Sequence, residues 1–543
     1  MKSLFERVLE SRDITPDQRA SFLSPDYDNQ HDPFLLPDMR AAVDRIKKAH
    51  KNQDRITIYG DYDIDGLTAT TVLLESLQSF GFKNVEAFIP NRFVEGYGLT
   101  IDAVEKIAKT GAQLIITVDC GSLSHKEIER ANELGVDVIV TDHHNVADTP
   151  PPAIATINPK RPDHSYPFID LAGVGVAFKL VQALQTELEG LPKGQEKWLL
   201  DLVALGTVCD VVTLVDENRT FVYWGLKVLA QARRPGLKAL MLVSGVELEK
   251  VNARSLGFAL GPRMNAAGRL ETAQYALDML MTRDPMEALQ KAQQLDDMNR
   301  ARRLEQDKIF KAAIMQAEQY KDHNVLVVSS AGWNHGIIGI VAAKLLEKYK
   351  KPTYVLEEMG EESKGSARSY GGFSAADAIR SADDIITKGG GHKLAAGVTL
   401  PTKNIDAFRT RVNEFYKSRK LKDQAALLLP QADAEAFLHE LTEGLIDELA
   451  ALEPFGNGNK QPVLSSQGLT VVGKRTMGAD GQHLKLELKD ATGKSMQFLA
   501  FNAPAHFFLE PGETVRAWYT VDVNEWQGRR SIEGQLLHLE ILS

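Results

Sequence analysis

Four short stretches of the chain carry acids and imidazoles at spacings that could do chemistry. "YGDYDIDG" (59–66) supplies Asp61, Asp63 and Asp65, "TVDCG" supplies Asp119, "TDHHN" supplies Asp142, His143 and His144, and "LGTVCDVV" supplies Asp210. Carboxylates gathered closely repel one another. They stay ionised only with positive charge among them, and a divalent metal is the obvious source. An oxygen-rich donor set with one or two imidazoles suits Mn²⁺ or Mg²⁺ better than zinc, which favours Cys and His. A carboxylate able to bridge suggests two ions, ~3.5–4 Å apart, the arrangement that serves phosphoester hydrolysis. A lone aspartate after a strand is more often a helix N-cap or a turn residue. For Asp61 alone that is the better explanation, but acids or imidazoles at three strand ends together outweigh it. His143 and His144 are adjacent, so in an extended segment they point to opposite sides and at most one is a simple ligand. Gly60, Gly66 and Gly121 fit tight turns that let backbone approach a ligand.

The elements that must position these residues can be read from the apolar runs. "RITIYG" (55–60), "EAFIP" (86–90), "QLIITVD" (113–119), "DVIVTD" (137–142) and "AIATIN" (153–158) are predicted strands. "LTATTVLLESLQSF" and "HKEIERANELG" read as helices between them, and "GVGVAFKLVQALQTEL" and "WLLDLVALGTVCD" as helices nearby. Strand–helix alternation implies a parallel sheet covered on both faces. In such sheets ligands sit at the carboxyl ends of the strands, which is where the acids fall. Asp210 follows a helix and could fold over them. Residues 220–322 read as mostly helical and end in a long charged helix without Gly or Pro in "EALQKAQQLDDMNRARRLEQDKIFKAAIMQAEQY". That helix could connect two rigid bodies. A second α/β region starts at "NVLVVSS", with "GIIGIVAAKLLEKY" as a helix and "TYVLEE" as a strand. From about 455, alternating apolar and polar residues with Gly-rich turns predict a small antiparallel barrel.

The bulk numbers fit several folded domains. The chain has 543 residues, 43% hydrophobic and 25% charged, an ordinary globular composition. At ~150 residues per domain this allows three or four domains. Cys120 and Cys209 form no Cys-x-x-Cys pair, so neither a disulfide scaffold nor a zinc finger is indicated. No apolar stretch reaches ~18 residues, and the start lacks a long apolar segment. The expectation is a soluble cytoplasmic protein with no membrane association. A net charge of −10 argues against a uniformly basic nucleic-acid binder, but not against a local basic groove.

The acidic stretches resemble the four motifs of the DHH phosphoesterases. "GGGHKLAAG" (389–397) resembles the glycine-rich signature of the DHHA1 domain that accompanies them. "NRFVEGYGL" (91–99), "GPRMNAAGRL" (261–270), "WNHGIIGIVA" (333–342) and "EPFGNGN" (453–459) narrow the resemblance to the single-stranded-DNA-specific exonucleases of that family, over about residue 40 to the C-terminus. The resemblance implies that Asp63 and Asp65 bind one metal each and that Asp119 bridges both. It implies that His143 and Asp210 join at the second metal and that His144 faces the scissile phosphate. Asp142 would orient a histidine from behind, or join the ligands as Asp61 would. Arg263, Asn265, Arg269, Ser366 and Arg368 become candidates to hold the DNA and its phosphates, because Arg presents a planar fork of donors. The competing reading of each Arg is a surface ion pair. Gly390, Gly391 and His392 could meet a phosphate near the 5′ end. Two blocks depart from the family pattern: Trp333-Asn334-His335-Gly336 in place of Trp-His-x-Gly, and Lys460 where Pro commonly follows Gly-Asn.

The implied architecture is α/β. A parallel-sheet DHH domain (51–215) follows an N-terminal helical segment (1–50). A helical region with a connector helix (216–322) leads to a smaller α/β DHHA1 domain (323–420), and an OB-like β-barrel (421–543) ends the chain. The long helix would set a cleft that admits a single strand. In the barrel, Trp518, Tyr519, Trp526, Arg529 and Arg530 could stack bases and meet phosphates; equally, the aromatics could fill the core. The implied activity is 5′→3′ hydrolysis of single-stranded DNA to mononucleotides with two Mn²⁺ or Mg²⁺ ions, in recombination and repair, beside single-strand-binding protein and a RecQ-type helicase. The alternatives are a phosphodiesterase for short oligonucleotides or cyclic dinucleotides, which would need no long binding track, and a catalytically dead DNA-binding scaffold, which would have lost the acids.

Overall fold

Five short apolar runs form the five strands of the first sheet. In the computed structural model, which describes residues 2–96, 98–419, 421, 427, 429–478, 481–526 and 529–542, these are β1 (Ile56–Gly60), β2 (Val85–Phe88), β3 (Leu114–Val118), β4 (Asp137–Thr141) and β5 (Ala155–Ile157). All pair in parallel, in the order β2-β1-β3-β4-β5. The strands are apolar throughout because both faces are covered. On one face Tyr59, Ile115, Val138 and Val140 form a core with residues of the helices Ile101–Lys109 and His125–Glu133. Helices Ile64–Ser79 and Gly173–Gln185 cover the other, with Leu200–Cys209 packed against both. The chain leaves β1 toward β2 on one side and resumes at β3 on the other. The crevice beside the carboxyl ends of β1 and β3 is therefore the topological switch point, where open α/β sheets bind ligands.

Two units compose the chain: Met1–Gly261 with Pro430–Ser543, and Pro262–Leu429. The second is built on β6 (Leu326–Ala331), β7 (Thr353–Met359), β8 (Glu362–Arg368), β9 (Lys388–Gly391) and β10 (Ala395–Pro401), ordered β6-β7-β8-β10-β9. Only β6 and β7 run parallel; the rest pair antiparallel. "GSARS" thus lies on a strand and its exit, and "GGGHKLAAG" is a hairpin. The long helix, Pro285–Gln319, starts at Pro285 behind the capping carboxylate of Asp284. Its last turns bury Ile309, Ala313 and Ala317 against Leu326, Val328 and Ile338, so it forms a wall of this unit.

The C-terminal strands belong to the first unit. They are β11 (Ala434–Glu435), β12 (Leu464–Met477), β13 (His483–Lys489), β14 (Ser495–Ala500), β15 (Thr514–Trp526) and β16 (Arg529–Ile541). They follow the order β11-β12-β13-β14-β16-β15, and β12 also pairs with β15, closing a five-stranded ring. The barrel is not wholly antiparallel, since β14 and β16 run parallel. Its core includes Leu4, Val8 and Leu9 from the first helix, Leu4–Ser11. Arg12 fixes this helix from outside, donating from Nε to Asp433 Oδ1 and from Nη1 to Asn459 Oδ1, both at 2.8 Å.

Candidate active site

The acidic stretches converge at the switch point. Asp61, Asp63 and Asp65 follow β1, Asp119 follows β3, and Asp142 to His144 follow β4. Asp63 caps the helix Ile64–Ser79, one oxygen accepting from the Gly66 amide at 3.1 Å. Asp65 lies inside that helix's first turn, buried. Its oxygens accept from the amides of Gly173 and Val174 at 2.6 and 2.9 Å, at the start of the helix Gly173–Gln185. Asp119 has φ +62°, a left-handed conformation uncommon outside glycine, which turns its side chain off the strand. Asp210 ends the helix Leu200–Cys209.

Three groups of donor atoms come together, each within 4.8 Å: Asp61 with Asp63 and Asp119; Asp65 with His143 and Asp210; Asp119 with His143 and His144. His143 Nε2 lies 3.1 Å from Asp119 Oδ1, 3.5 Å from Asp210 Oδ2 and 3.7 Å from Asp65 Oδ2. Asp119 Oδ1 and His143 Nε2 are buried and make no hydrogen bond. Leaving such atoms unsatisfied costs about 1–3 kcal/mol each. A divalent cation among these carboxylates would satisfy both, and the donor set is the oxygen-rich kind that Mn²⁺ and Mg²⁺ take. The electrostatics agree. Burial first, and the other carboxylates second, push Asp61, Asp65, Asp119 and Asp210 above the ordinary carboxylate range. Burial pushes His143 down to about 3, so it presents a neutral imidazole.

Asp142 stands outside all three groups, so of its two expected roles, orienting a histidine or joining the ligands, its contacts fit the first. Its Oδ1 accepts from the amides of His143 and His144 at 2.7 and 3.0 Å and lies 2.9 Å from His144 Nδ1; its Oδ2 accepts from the Ser122 amide at 2.9 Å. These bonds occupy it and make it the support of the turn. They also overturn the expectation that His143 and His144 point apart. The turn is not extended, the two rings meet edge-on at 4.5 Å, and both approach Asp119. They differ in exposure, His143 being 7% and His144 38% accessible. Burial opposes a charge on His144, but its bond to Asp142 and the nearby acids outweigh this and raise its pKa.

Two glycines make room for the acids. A Cβ on Gly66 would stand 2.5 Å from the Asp61 carbonyl oxygen, and one on Gly173 would stand 2.7 Å from Asp119 Oδ1. They keep space for the acids themselves. Gly173 had read only as part of an apolar helix; a glycine opening such a helix was the available sign. Arg92 was likewise within a quoted block but given no role. Its guanidinium lies 4.9 Å from the Tyr62 ring centre, and its charge reaches Asp61.

In the second unit, Arg269 Nη1 donates to the Gly336 carbonyl at 2.9 Å. Arg368 Nη1 donates to Ser366 Oγ at 3.2 Å, and both side chains lie against Gly339. Arg269, Ser366 and Arg368 thus gather at the start of the helix Ile338–Tyr349, where amides and dipole favour an anion. Asn265 shares a helix with Arg269 one turn away. Arg263 is bonded to Asp296 at 2.8 Å, the ion pair that competed with a DNA contact. Asn334 accepts from the Gly336 amide and His335 contacts Glu357 at 2.8 Å, which gives both residues of the divergent block structural contacts. Gly390 and Gly391 pair with β10, and the His392 amide donates to Ala395 O at 2.7 Å, so that amide is spent within the hairpin. On the barrel Tyr519 is buried and bonded to Ser466, whereas Trp518 is half-buried beside His538, with Arg516 at 4.7 Å. Arg530 pairs with Glu443 at 3.1 Å. The side chains of Trp526 and Arg529 lie outside the described residues.

Comparison with known proteins gives the class first. Residues 55–207 match the DHH family, N-terminal domain, residues 322–418 the DHHA1 domain, and residues 432–538 the RecJ OB domain. The chain is 39% identical to a single-stranded-DNA-specific exonuclease RecJ of Bacillus subtilis over 92% of its own length and 63% of the relative's. With the RecJ of Dickeya dadantii it shares 36% identity over 93% and 91% of the two lengths. A crystal structure of Thermus thermophilus RecJ with Mn²⁺ superposes with a TM-score of 0.82 at 30% identity, covering 99% of this chain and 75% of that one. The same protein has been crystallised with Mg²⁺. The chain belongs to the RecJ family. Among the described residues, no helix is long and apolar enough to cross a membrane.

Proposed function

We propose that this chain is a metal-dependent exonuclease specific for single-stranded DNA, cutting from the 5′ end to release mononucleotides. The observation that carries this is the convergence of three strand ends on a buried carboxylate oxygen, Asp119 Oδ1, and a buried imidazole nitrogen, His143 Nε2, that make no hydrogen bond. Asp61, Asp63 and Asp119 would hold one Mn²⁺ or Mg²⁺ ion, and Asp65, His143 and Asp210 a second, with Asp119 shared. Bound there, the ions supply a hydroxide at neutral pH and neutralise charge on the phosphate.

The protein's own groups do the rest. The amides of Gly173 and Val174 hold Asp65 in place. Asp142 fixes His144 at Nδ1, so Nε2 is the nitrogen that would carry a proton toward a phosphate oxygen. With that hydroxide as nucleophile, a bond to phosphorus would form as the bond to the 3′ oxygen of the departing nucleotide breaks, and that oxygen would take its proton from His144 or water. Arg269, Ser366 and Arg368 would take a phosphate of the strand, and Trp518 would stack a base on the barrel.

The direction of cutting, single-strand-binding protein and a RecQ-type helicase as partners, and a cytoplasmic setting come with the family resemblance. The test is incubation of the chain and of Asp119→Ala with 5′- and 3′-labelled single-stranded DNA, with Mn²⁺ and with chelator. Release of mononucleotides from the 5′ end, lost in the variant and with chelator, is expected. Turnover of dinucleotides without cutting of long strands would move the assignment to the small-substrate phosphodiesterases.

A further inference from the structure

"EPFGNGN" contributes no donor to the acid cluster, yet it lies on the loop that follows Asp210. The chain leaves Asp210 through Val211, whose φ is +62°. A β-branched residue is rarely held in that left-handed conformation. Asn457 supplies a restraint: its Nδ2 donates to the Val211 carbonyl at 3.0 Å, and its own carbonyl accepts from the Leu214 amide at 2.7 Å. The neighbouring glycines allow the approach. A Cβ on Gly456 would stand 2.6 Å from Leu214 Cδ1, and one on Gly458 would stand 3.3 Å from Thr213 Cβ.

The clamp is itself fixed. Arg219 Nη2 donates to the Glu453 carbonyl at 2.9 Å, and Asn459 Nδ2 donates to the carbonyls of Leu452 and Pro454 at 2.8 and 2.9 Å. On its far side the same loop is tied to Asp170, a residue outside the cluster. Thr213 Oγ1 donates to Asp170 Oδ2 at 3.2 Å, and Asn218 Nδ2 bridges the carbonyls of Asp170 and Thr213 at 2.6 and 3.0 Å. Asp170 leads directly into Gly173 and Val174, whose amides hold Asp65.

We propose that Asn457 is a positioning residue for the metal cluster of Asp65, His143 and Asp210, acting by holding the loop 211–214 in its left-handed turn. This rests on the metal-centre reading above. Supports of this kind change metal affinity on removal, typically by about tenfold or more. Val211 is 65% exposed, so replacing it with glycine removes little packing and lets the turn form without the clamp.

The experiment is a Mn²⁺ titration of the full chain followed by electron paramagnetic resonance, with melting temperature and single-stranded-DNA affinity measured in chelator. Asn457→Ala is expected to weaken one class of Mn²⁺ site about tenfold, with melting and DNA affinity close to the parent's. Asn457→Asp, which sets an acceptor against the Val211 carbonyl, weakens it at least as much. Adding Val211→Gly to Asn457→Ala restores most of the loss. Unchanged Mn²⁺ affinity in both single variants overturns the proposal, and so does a loss that Val211→Gly does not reverse. A parent chain that binds Mn²⁺ but cuts no DNA would sink the proposed function and leave this inference standing.

Discussion

His143 Nε2 faces Asp119 Oδ1 at 3.1 Å, with oxygens of Asp210 and Asp65 at 3.5 and 3.7 Å from the same nitrogen. Without a cation the acids keep protons. Burial, then the charge of Asp63, raises Asp65 to about 7; burial, then Asp65 and Asp63, raises Asp210 to about 9. In the unfolded chain such groups titrate near 4 (about 3.9 for Asp). The metal-free fold therefore binds protons that the unfolded chain has released. The stability these groups lend is full below about pH 4 and is lost as pH rises through 7 and then 9. In chelator, the melting temperature should fall between about pH 5 and pH 9, and Asp210→Asn should flatten that slope. A metal-free melting curve that rises with pH over this range would refute the argument. Saturating Mn²⁺ should lift the alkaline side most, because it takes the place of the protons. Asp119→Asn should melt higher than the parent in chelator and lose metal-dependent turnover, since removing one acid relieves repulsion and removes the shared ligand. At this scale the acids were legible, because carboxylates in such density have few other uses. Asp142 was not separable from them by type, and an orienting role came only with the family resemblance; its bonds to two amides, an imidazole and Ser122 are those of a support.

At the scale of elements, the first sheet was legible because strands buried on both faces must be apolar throughout. Each of the five predicted runs overlaps a strand, with ends shifted by one or two residues; β2 begins one residue before its run. The second sheet was less so. β9 is Lys388-Gly-Gly-Gly391, exposed along its length, and offers no side-chain alternation to read. β8, "ESKGSAR", mixes buried and half-buried positions without a clean period. The close approaches were invisible as well, since a glycine in a sequence does not say what it would collide with. Gly66→Ala should cost about 1–3 kcal/mol, read from urea unfolding, because the new methyl group meets the backbone of Asp61. Gly173→Ala should act on the site instead. Its methyl group meets Asp119 Oδ1, so Mn²⁺ affinity should drop more than stability does. Equal Mn²⁺ binding by that variant and the parent would show that Asp119 has room to move.

On the scale of the whole molecule, an acidic chain with a net charge of −10 must bind DNA locally rather than by its overall field. The barrel is the natural platform, and Trp518 tests it. Base stacking on an aromatic is worth about 1–3 kcal/mol, so Trp518→Ala should weaken single-stranded-DNA affinity in chelator by about fivefold or more, with little change in melting. Tyr519, its neighbour on the strand, is the core residue instead, bonded to Ser466 inside the barrel. The sequence left both uses open for these aromatics, since alternation puts neighbours on opposite faces without saying which faces inward.

The first helix has a consequence for how the molecule is made. Leu4, Val8 and Leu9 sit in a core whose other walls come from residues 434–539. On a ribosome, this helix emerges with its apolar stripe bare and must wait for residues 434–539 before its partners exist. Contacts of such sequence separation form slowly, and exposed apolar surface invites misassembly meanwhile. Leu9→Ala, worth about 2–5 kcal/mol as a core truncation, should therefore lower the yield of folded chain during synthesis as well as the melting temperature, and supplying a chaperone should recover the first effect without the second.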